Sequence, residues 1–387
     1  PAHLMRRLQR SSTTLMTRTT CVVPLDEPSW WYGDDGSVLP HLLSPLGAVY
    51  GAAASYRMRS AGYAAGLPVI CVGNFVAGGS GKTPFTRALC ARLQAKGRTP
   101  AVLMRGYGGR LTGPCWVDAA HHTTADVGDE ALMLARDLPV TVARDRAAGA
   151  RSIERTGRPE ACAGRSTETT IDVIVMDDGL LNPALDKTLT FALVDRGRGL
   201  GNTRVIPAGP LRAPLRDQLA RVDCIVLTGS TPTPTDADAA VPSGQRWNWL
   251  GATSMPVITT TTRPSLDRTA DRGAALVFAG IANPGRVTAT AAEIGYRVVA
   301  TRTFRDHHAF TDDDVHALRE AAAPHQARLV TTEKDHVRLA TGSAACKALA
   351  AEVDVLRIET VFEAAAAAAI DRLLDRALSG MPDEQTD

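Results

Sequence analysis

With 387 residues, 44% of them hydrophobic and 22% charged, the chain has room for two moderate domains and the composition of an ordered globular protein, not of a disordered one. A net charge of +2 gives no argument for nucleic acid as a partner. Seven scattered cysteines with no CxxC pair exclude a disulfide framework and a zinc ribbon, and read as reduced thiols.

Residues 1–24 carry Arg6, Arg7, Arg10 and Arg18 among Ser and Thr, with no acid before Asp26, and read as an organelle-targeting segment or a disordered tail. In the region 25–66, Leu42, Leu43, Leu46, Val49, Tyr50 and Ala53 recur at helical spacing, with Trp30, Trp31 and Tyr32 before them and Arg57 and Arg59 after. Such a helix either packs into a core or lies in the headgroup layer of a bilayer. The uncharged stretch Pro40–Tyr56 falls short of the about 20 apolar residues that a spanning helix needs.

Between 67 and 228, apolar runs at Val69–Val72, Ala101–Met104, Val140–Ala143, Ile171–Met176, Phe191–Val194 and Cys224–Leu227 alternate with helical patterns such as Thr83–Lys96 and Gly128–Asp137. That order predicts an α/β fold built on a doubly wound parallel sheet. Residues 229–272, rich in Thr, Pro, Ser and Asp, read as an interdomain linker with a candidate strand at Pro256–Thr260. Further runs at Ala275–Ala279, Arg297–Thr303 and Arg328–Thr331, with helices near Val287–Ile294 and Asp312–Ala322, predict a second, smaller α/β domain over 273–387. It ends in an Ala-rich helix within Thr360–Leu378.

The strongest local signal is GNFVAGGSGKTP, residues 73–84, directly after a strand and directly before a helix. Backbone amides of Gly78, Gly79, Ser80 and Gly81 can turn inward on phosphate oxygens, Lys82 can reach the terminal phosphates and Thr83 can ligate Mg²⁺. Val76 stands where the strict phosphate loop has its first glycine. A second strand ends in Asp177-Asp178, placed at the sheet edge that opens onto the phosphates, where one acid can hold Mg²⁺. Arg105 and Arg110 flank a glycine-rich turn at the same edge. Asp129 opens a helix, where an N-cap role and a functional role are both available. Asp306 precedes His307 in the second domain, an arrangement that suits a general base. Asp312, Asp313, Asp314 and His316 suggest a competing metal cluster, although the three acids also suit the first turn of a helix.

Taken in order from about Trp30 to Asp335, the motifs GNFVAGGSGKTP, RGYGG, GDE, DDG, RGLGNTRVIPAGPLR, AGIANP, FRDHH and TTEKD resemble the tetraacyldisaccharide 4′-kinase family of lipid A biosynthesis. The resemblance implies a P-loop NTPase-like domain, ATP and Mg²⁺ as cofactors, and a lipid-anchored disaccharide as substrate. It also implies peripheral attachment to the cytoplasmic face of a bacterial inner membrane, or a mitochondrial site if residues 1–24 are a transit peptide. By the same resemblance Asp129 and His307 activate the sugar hydroxyl, Asp306 supports His307, and Glu130, Asp177 and Asp178 position metal and nucleotide. Because Asp129 and His307 fall in different domains, they are expected to meet only when the cleft closes. Asn74, Arg105, Arg110 and Arg212 are expected among the substrate contacts.

Two departures stand out. The family continues DDG with Phe-Gln, where this chain has Leu180-Leu181, and follows PAGPLR with Glu, where it has Ala213. Two other classes remain open on these motifs: a P-loop NTPase acting as a switch or metallochaperone, which has no use for Asp129 with His307, and a non-catalytic relative, to which the departures would belong.

Overall fold

The computed structural model describes residues 27–33, 36–156, 170–229, 247–251, 253–266, 272–281 and 284–379. The expected segment 1–24 and most of the first half of the expected linker lie outside these residues.

Helix α1 (Leu39–Met58) precedes the first sheet. Its strands in chain order are β1 (Val69–Asn74), β2 (Pro100–Met104), β3 (Cys115–Trp116), β4 (Val140–Val142), β5 (Val173–Asp177), β6 (Leu189–Asp195), β7 (Cys224–Thr228) and β8 (Val257–Thr259), in spatial order 3-4-2-5-1-6-7-8. Only the short edge strand β3 runs antiparallel to its neighbour. Helices α2 (Lys82–Ala95), α3 (Thr124–Val127), α4 (Asp129–Ala135), α5 (Arg146–Thr156), α6 (Leu215–Leu219) and α7 (Asn248–Gly251) connect or cover them. The central strands are apolar along their whole length because helices cover a parallel sheet on both faces: every residue of β1, β2 and β5 is buried. The strand order reverses at β1, so the carboxyl ends of β1 and β5 open a crevice there.

The second sheet contains β9 (Thr261–Leu266), β10 (Ala274–Ala279), β11 (Arg297–Thr303), β12 (Arg328–Thr332) and β13 (Asp354–Val361), in order 11-10-12-13-9, with β9 antiparallel. It carries α8 (Pro284–Glu293), α9 (Asp312–Ala322), α10 (Glu333–Ala340) and α11 (Ala344–Glu352). The chain ends its described part in α12 (Ala364–Leu378).

Two domain boundaries need correction. The stretch expected as a linker supplies β8 to the first sheet and β9 to the second, so the chain passes between sheets at Thr260. Helix α12, expected in the smaller domain, returns to the first: Ile370, Leu374 and Leu378 share a core with Ile70, Phe85, Leu89 and Phe191. Burial of each such side chain is worth about 1.5–3 kcal/mol, and Arg92–Asp371 and Lys96–Asp375 ion pairs fasten α12 to α2 from outside.

Helix α1 turns its two stripes to different surroundings. Its small residues Gly47, Gly51 and Ala54 turn inward with Met58, while Leu42, Leu46 and Val49 remain 69%, 58% and 69% exposed. The large apolar stripe faces solvent rather than the core. No helix among the described residues is long and apolar enough to cross a membrane.

Candidate active site

The loop from β1 to α2 is built as an anion cradle. Gly78 and Gly81 adopt φ of 101° and 76°, a region that other residues rarely occupy, and the Gly81 N-cap of α2 makes no side-chain capping bond. The first amides of α2 are therefore left for an anion, with the helix dipole behind them. A Cβ on Gly79 would meet nothing within 4 Å, so the cradle is open at that point. Ser80 Oγ is buried with no hydrogen-bond partner among the described residues.

Opposite the cradle, Asp177 is buried at the end of β5, and neither of its carboxylate oxygens has a partner among the described residues. Burial, aided by the negative charge of Glu130 and opposed by Lys82, pushes its carboxyl up to about 7. Lys82 Nζ lies 3.9 Å from Asp178 Oδ1. Asp178 is held at φ 53°, a strained conformation for a non-glycine residue, by Arg212, whose Nη1 donates to Oδ1 at 2.5 Å and Nη2 to Oδ2 at 3.3 Å. A magnesium nucleotide fits these residues: orphaned oxygens on Asp177 and Ser80, free amides at α2, and Lys82 and Thr83 at the helix start.

The second half of the site comes from both domains. The Thr123 capping box starts the short α3, which ends at Gly128, and α4 begins at Asp129. His307, on the loop after β11 and at φ 58°, brings Nδ1 to 3.1 Å from Asp129 Oδ2. The two are hydrogen-bonded in this structure, so no further closure is needed to join them. Burial alone would raise Asp129, but the His307 hydrogen bond and the charges of Arg338 and Lys334 hold it well below the usual carboxylate range. The same bond pushes His307 up, against its burial. Asp306 accepts from the His307 backbone N–H at 3.0 Å, while its carboxylate is 3.9 Å from Nε2. It hydrogen-bonds the loop and acts on the ring only through its charge.

Other expected residues take different places. Glu130 is paired with Lys334 from the second domain. Asn74 is fully buried: its Nδ2 donates to Val76 O at 2.7 Å and its Oδ1 accepts from Arg212, so it braces the loop instead of facing the cleft. Arg110 turns to the surface and pairs with Asp126 at 2.6 Å. Arg105 is exposed at the rim, close enough to Arg146 to repel it. The acids Asp312, Asp313 and Asp314 form the first turn of α9, where Asp314 completes a capping box with Thr311 and accepts from His308 Nε2. His316 pairs with Glu320. No group of three metal-ligating side chains occurs among the described residues, which removes the competing metal cluster.

Three contributors escaped the motif reading. Tyr107 is exposed at the rim with its ring 5.5 Å from that of His307. Arg146 is buried at the start of α5, where burial pushes its guanidinium down to about 10 despite the pull of Asp178. Arg338, on α10, binds Asp129 directly; the only hint in the sequence is its spacing of three from Asp335 on a helical pattern. The departures prove to be packing positions. Leu180 is buried with Phe75 and Val76, and Leu181 lies against Ala213, Ala54 and Met58 beneath α1.

A phosphate cradle at the switch point of a parallel sheet, faced by acids, defines a protein of the P-loop nucleotide-binding class. Its fold is shared with the crystal structure of LpxK from Aquifex aeolicus in complex with ATP, at a TM-score of 0.65 and 22% identity, covering 88% of this chain and 99% of that one. The family described as Tetraacyldisaccharide-1-P 4′-kinase matches residues 39–376. The tetraacyldisaccharide 4′-kinase of Rhodopseudomonas palustris strain BisB18 is 47% identical over 313 residues, 81% of this chain and 85% of that protein. That of Methylobacterium radiotolerans is 45% identical over 88% of this chain and 95% of its own length. The chain belongs to the tetraacyldisaccharide-1-phosphate 4′-kinase family.

Proposed function

We propose that this protein transfers the γ-phosphoryl group of ATP to the 4′-hydroxyl of a tetraacyldisaccharide 1-phosphate. The observation that carries the reading is the Asp129–His307 hydrogen bond beside an open phosphate cradle, since a nucleotide switch has no need of a base. Bound MgATP supplies the phosphoryl group. The amides of Gly78 to Gly81 and Lys82 would hold its phosphates, and Thr83 with Asp177 and Asp178 its cation. Asp129 accepts the Nδ1 proton of His307, which fixes the tautomer and leaves Nε2 as the atom that takes the proton of the sugar hydroxyl. Arg105 offers positive charge to anionic groups at the rim, and Arg146 does so from its buried place near Asp178.

The acceptor is a lipid, and the exposed face of α1 suits it. Leu42, Leu46 and Val49 would sink into the headgroup boundary while the small residues keep α1 on the protein. The enzyme would thereby lie peripherally on the cytoplasmic face of a bacterial inner membrane, where ATP is at hand. Transfer of radiolabel from γ-labelled ATP to the disaccharide 1-phosphate in detergent micelles tests the reading. A labelled lipid product is expected; ATP turnover that ignores the acceptor would overturn it.

A further inference from the structure

Arg338 makes contacts that a surface helix residue does not need. It is buried, and its Nε and Nη2 both donate to Asp129 Oδ2, the oxygen that also receives His307, with the Nε bond at 3.1 Å. The other carboxylate oxygen, Oδ1, accepts from the Glu130 backbone N–H at 2.9 Å. Both oxygens are thus spoken for, and the carboxylate cannot rotate. On its far side, Arg338 Nη1 donates to Gly280 O and to Asp335 Oδ1, both at 2.7 Å.

Asp335 has no exposed surface and in turn accepts from Gly280 N–H and Thr332 Oγ1. Gly280 is packed beneath the loop that carries His307: a Cβ there would come within 3.0 Å of Arg305 O and 3.3 Å of His308 Cβ. One guanidinium therefore grips the Asp129 carboxylate directly and the floor of the His307 loop through Gly280. The helix that presents it is anchored to the nucleotide domain, because Glu333 pairs with Arg87 of α2 at 2.9 Å and Lys334 with Glu130.

We propose that Arg338, backed by Asp335, is the positioning residue of the Asp129–His307 pair, holding the two members in register across the domain boundary. This rests on the kinase reading above. A planar guanidinium is suited to the task because its fork binds two groups at fixed angles, which an ammonium cannot do. It also compensates a carboxylate that would be costly to bury alone.

The test measures phosphoryl transfer to the disaccharide acceptor with Arg338→Lys, Arg338→Met, Asp129→Asn and the Asp129→Asn/Arg338→Met double variant. Folding is checked by the thermal midpoint with and without ATP. Misplacement of a catalytic group by about 1 Å costs on the order of 100-fold in rate, so Arg338→Met should lose that much in kcat while its KM for ATP stays within about twofold. Arg338→Lys keeps the buried charge and loses the fork; it should fall by roughly tenfold, and it carries the test should Arg338→Met fail to fold. The double variant should be no slower than Asp129→Asn. Unchanged kcat in Arg338→Lys with normal transfer by the unaltered chain, or a further full loss in the double variant, would overturn the assignment alone. Absence of transfer by the unaltered chain would overturn the kinase reading and this assignment with it.

Discussion

His307 Nδ1 lies 3.1 Å from Asp129 Oδ2 across 178 positions of sequence and a domain boundary. A base oriented by a buried carboxylate acts mainly in the transition state, so removing either residue should lower kcat far more than it alters the KM for ATP. His307→Ala and Asp129→Asn should each cost on the order of 100-fold or more, and the double variant little beyond the worse single one. Steady-state kinetics on all three decide it, and multiplicative losses would mean two independent roles. Asp306→Asn should be milder, since Asp306 hydrogen-bonds the His307 backbone and reaches ring Nε2 only at 3.9 Å.

The same pair sets the acid limb of the rate profile. His307 must be neutral at Nε2 to accept a proton, and its pKa is pushed above the ordinary 6.5 by Asp129, with Asp306 adding to the effect and burial and Arg338 opposing it. Activity should therefore fall as pH drops through a value above 6.5. Asp129→Asn removes the largest raising influence, so the residual activity should keep its limb at lower pH. A limb that stays in place in that variant would argue that another group titrates.

Lys82→Ala and Thr83→Ala should abolish transfer in protein that stays folded, because both side chains stand at the cradle and, among the described residues, no ion pair between domains depends on them. Lys82→Ala should be the more severe, as it removes the cation facing Asp178 at 3.9 Å. Wild-type turnover of either variant at saturating ATP and Mg²⁺ would exclude the cradle as the nucleotide site.

Asp177 should make the nucleotide-free protein less stable as pH rises. Its pKa is raised to about 7 in the folded chain, so the unfolded chain gives up its proton first, and the stability this group contributes at low pH is lost as pH climbs from the ordinary carboxylate range through about 7. Thermal midpoints of the unaltered chain and Asp177→Asn, compared between pH 5 and pH 8 without Mg²⁺ or ATP, should converge at the acid end and separate in favour of the variant at the alkaline end. Added MgATP should reverse the order, since only the carboxylate can neutralise the cation.

Paired Leu42→Ser and Leu46→Ser changes should leave the thermal midpoint close to that of the unaltered chain, since both side chains are more than half exposed. They should also reduce co-sedimentation with anionic liposomes. Undiminished co-sedimentation would mean that α1 is not the membrane-facing surface.

Local chemistry decided much before any tertiary structure formed. The phosphate loop, the acids at the end of β5 and the alternation of apolar runs with helical ones are properties of contiguous residues, because anion binding at a helix start and burial of a parallel strand each need only a few neighbours in sequence. The ordered motifs likewise carried the family. What the sequence left open were matters of face and partner: helix α1 has apolar and small residues on adjoining stripes, and only packing against Ala213 and Leu181 shows that the small stripe is the buried one. Strand β13 and helix α10 are hard to read from sequence because the first adjoins an Ala-rich helix and the second is a run of charges, Glu333 to Arg338, that reads as solvent-facing until its partners are in place. Arg87, Glu130 and Asp129 lie 200 or more residues upstream of the groups they bind on α10. Pairings at that distance are selected by how the two sheets dock, so Arg338 acquires its place at the Asp129–His307 pair only in the folded protein.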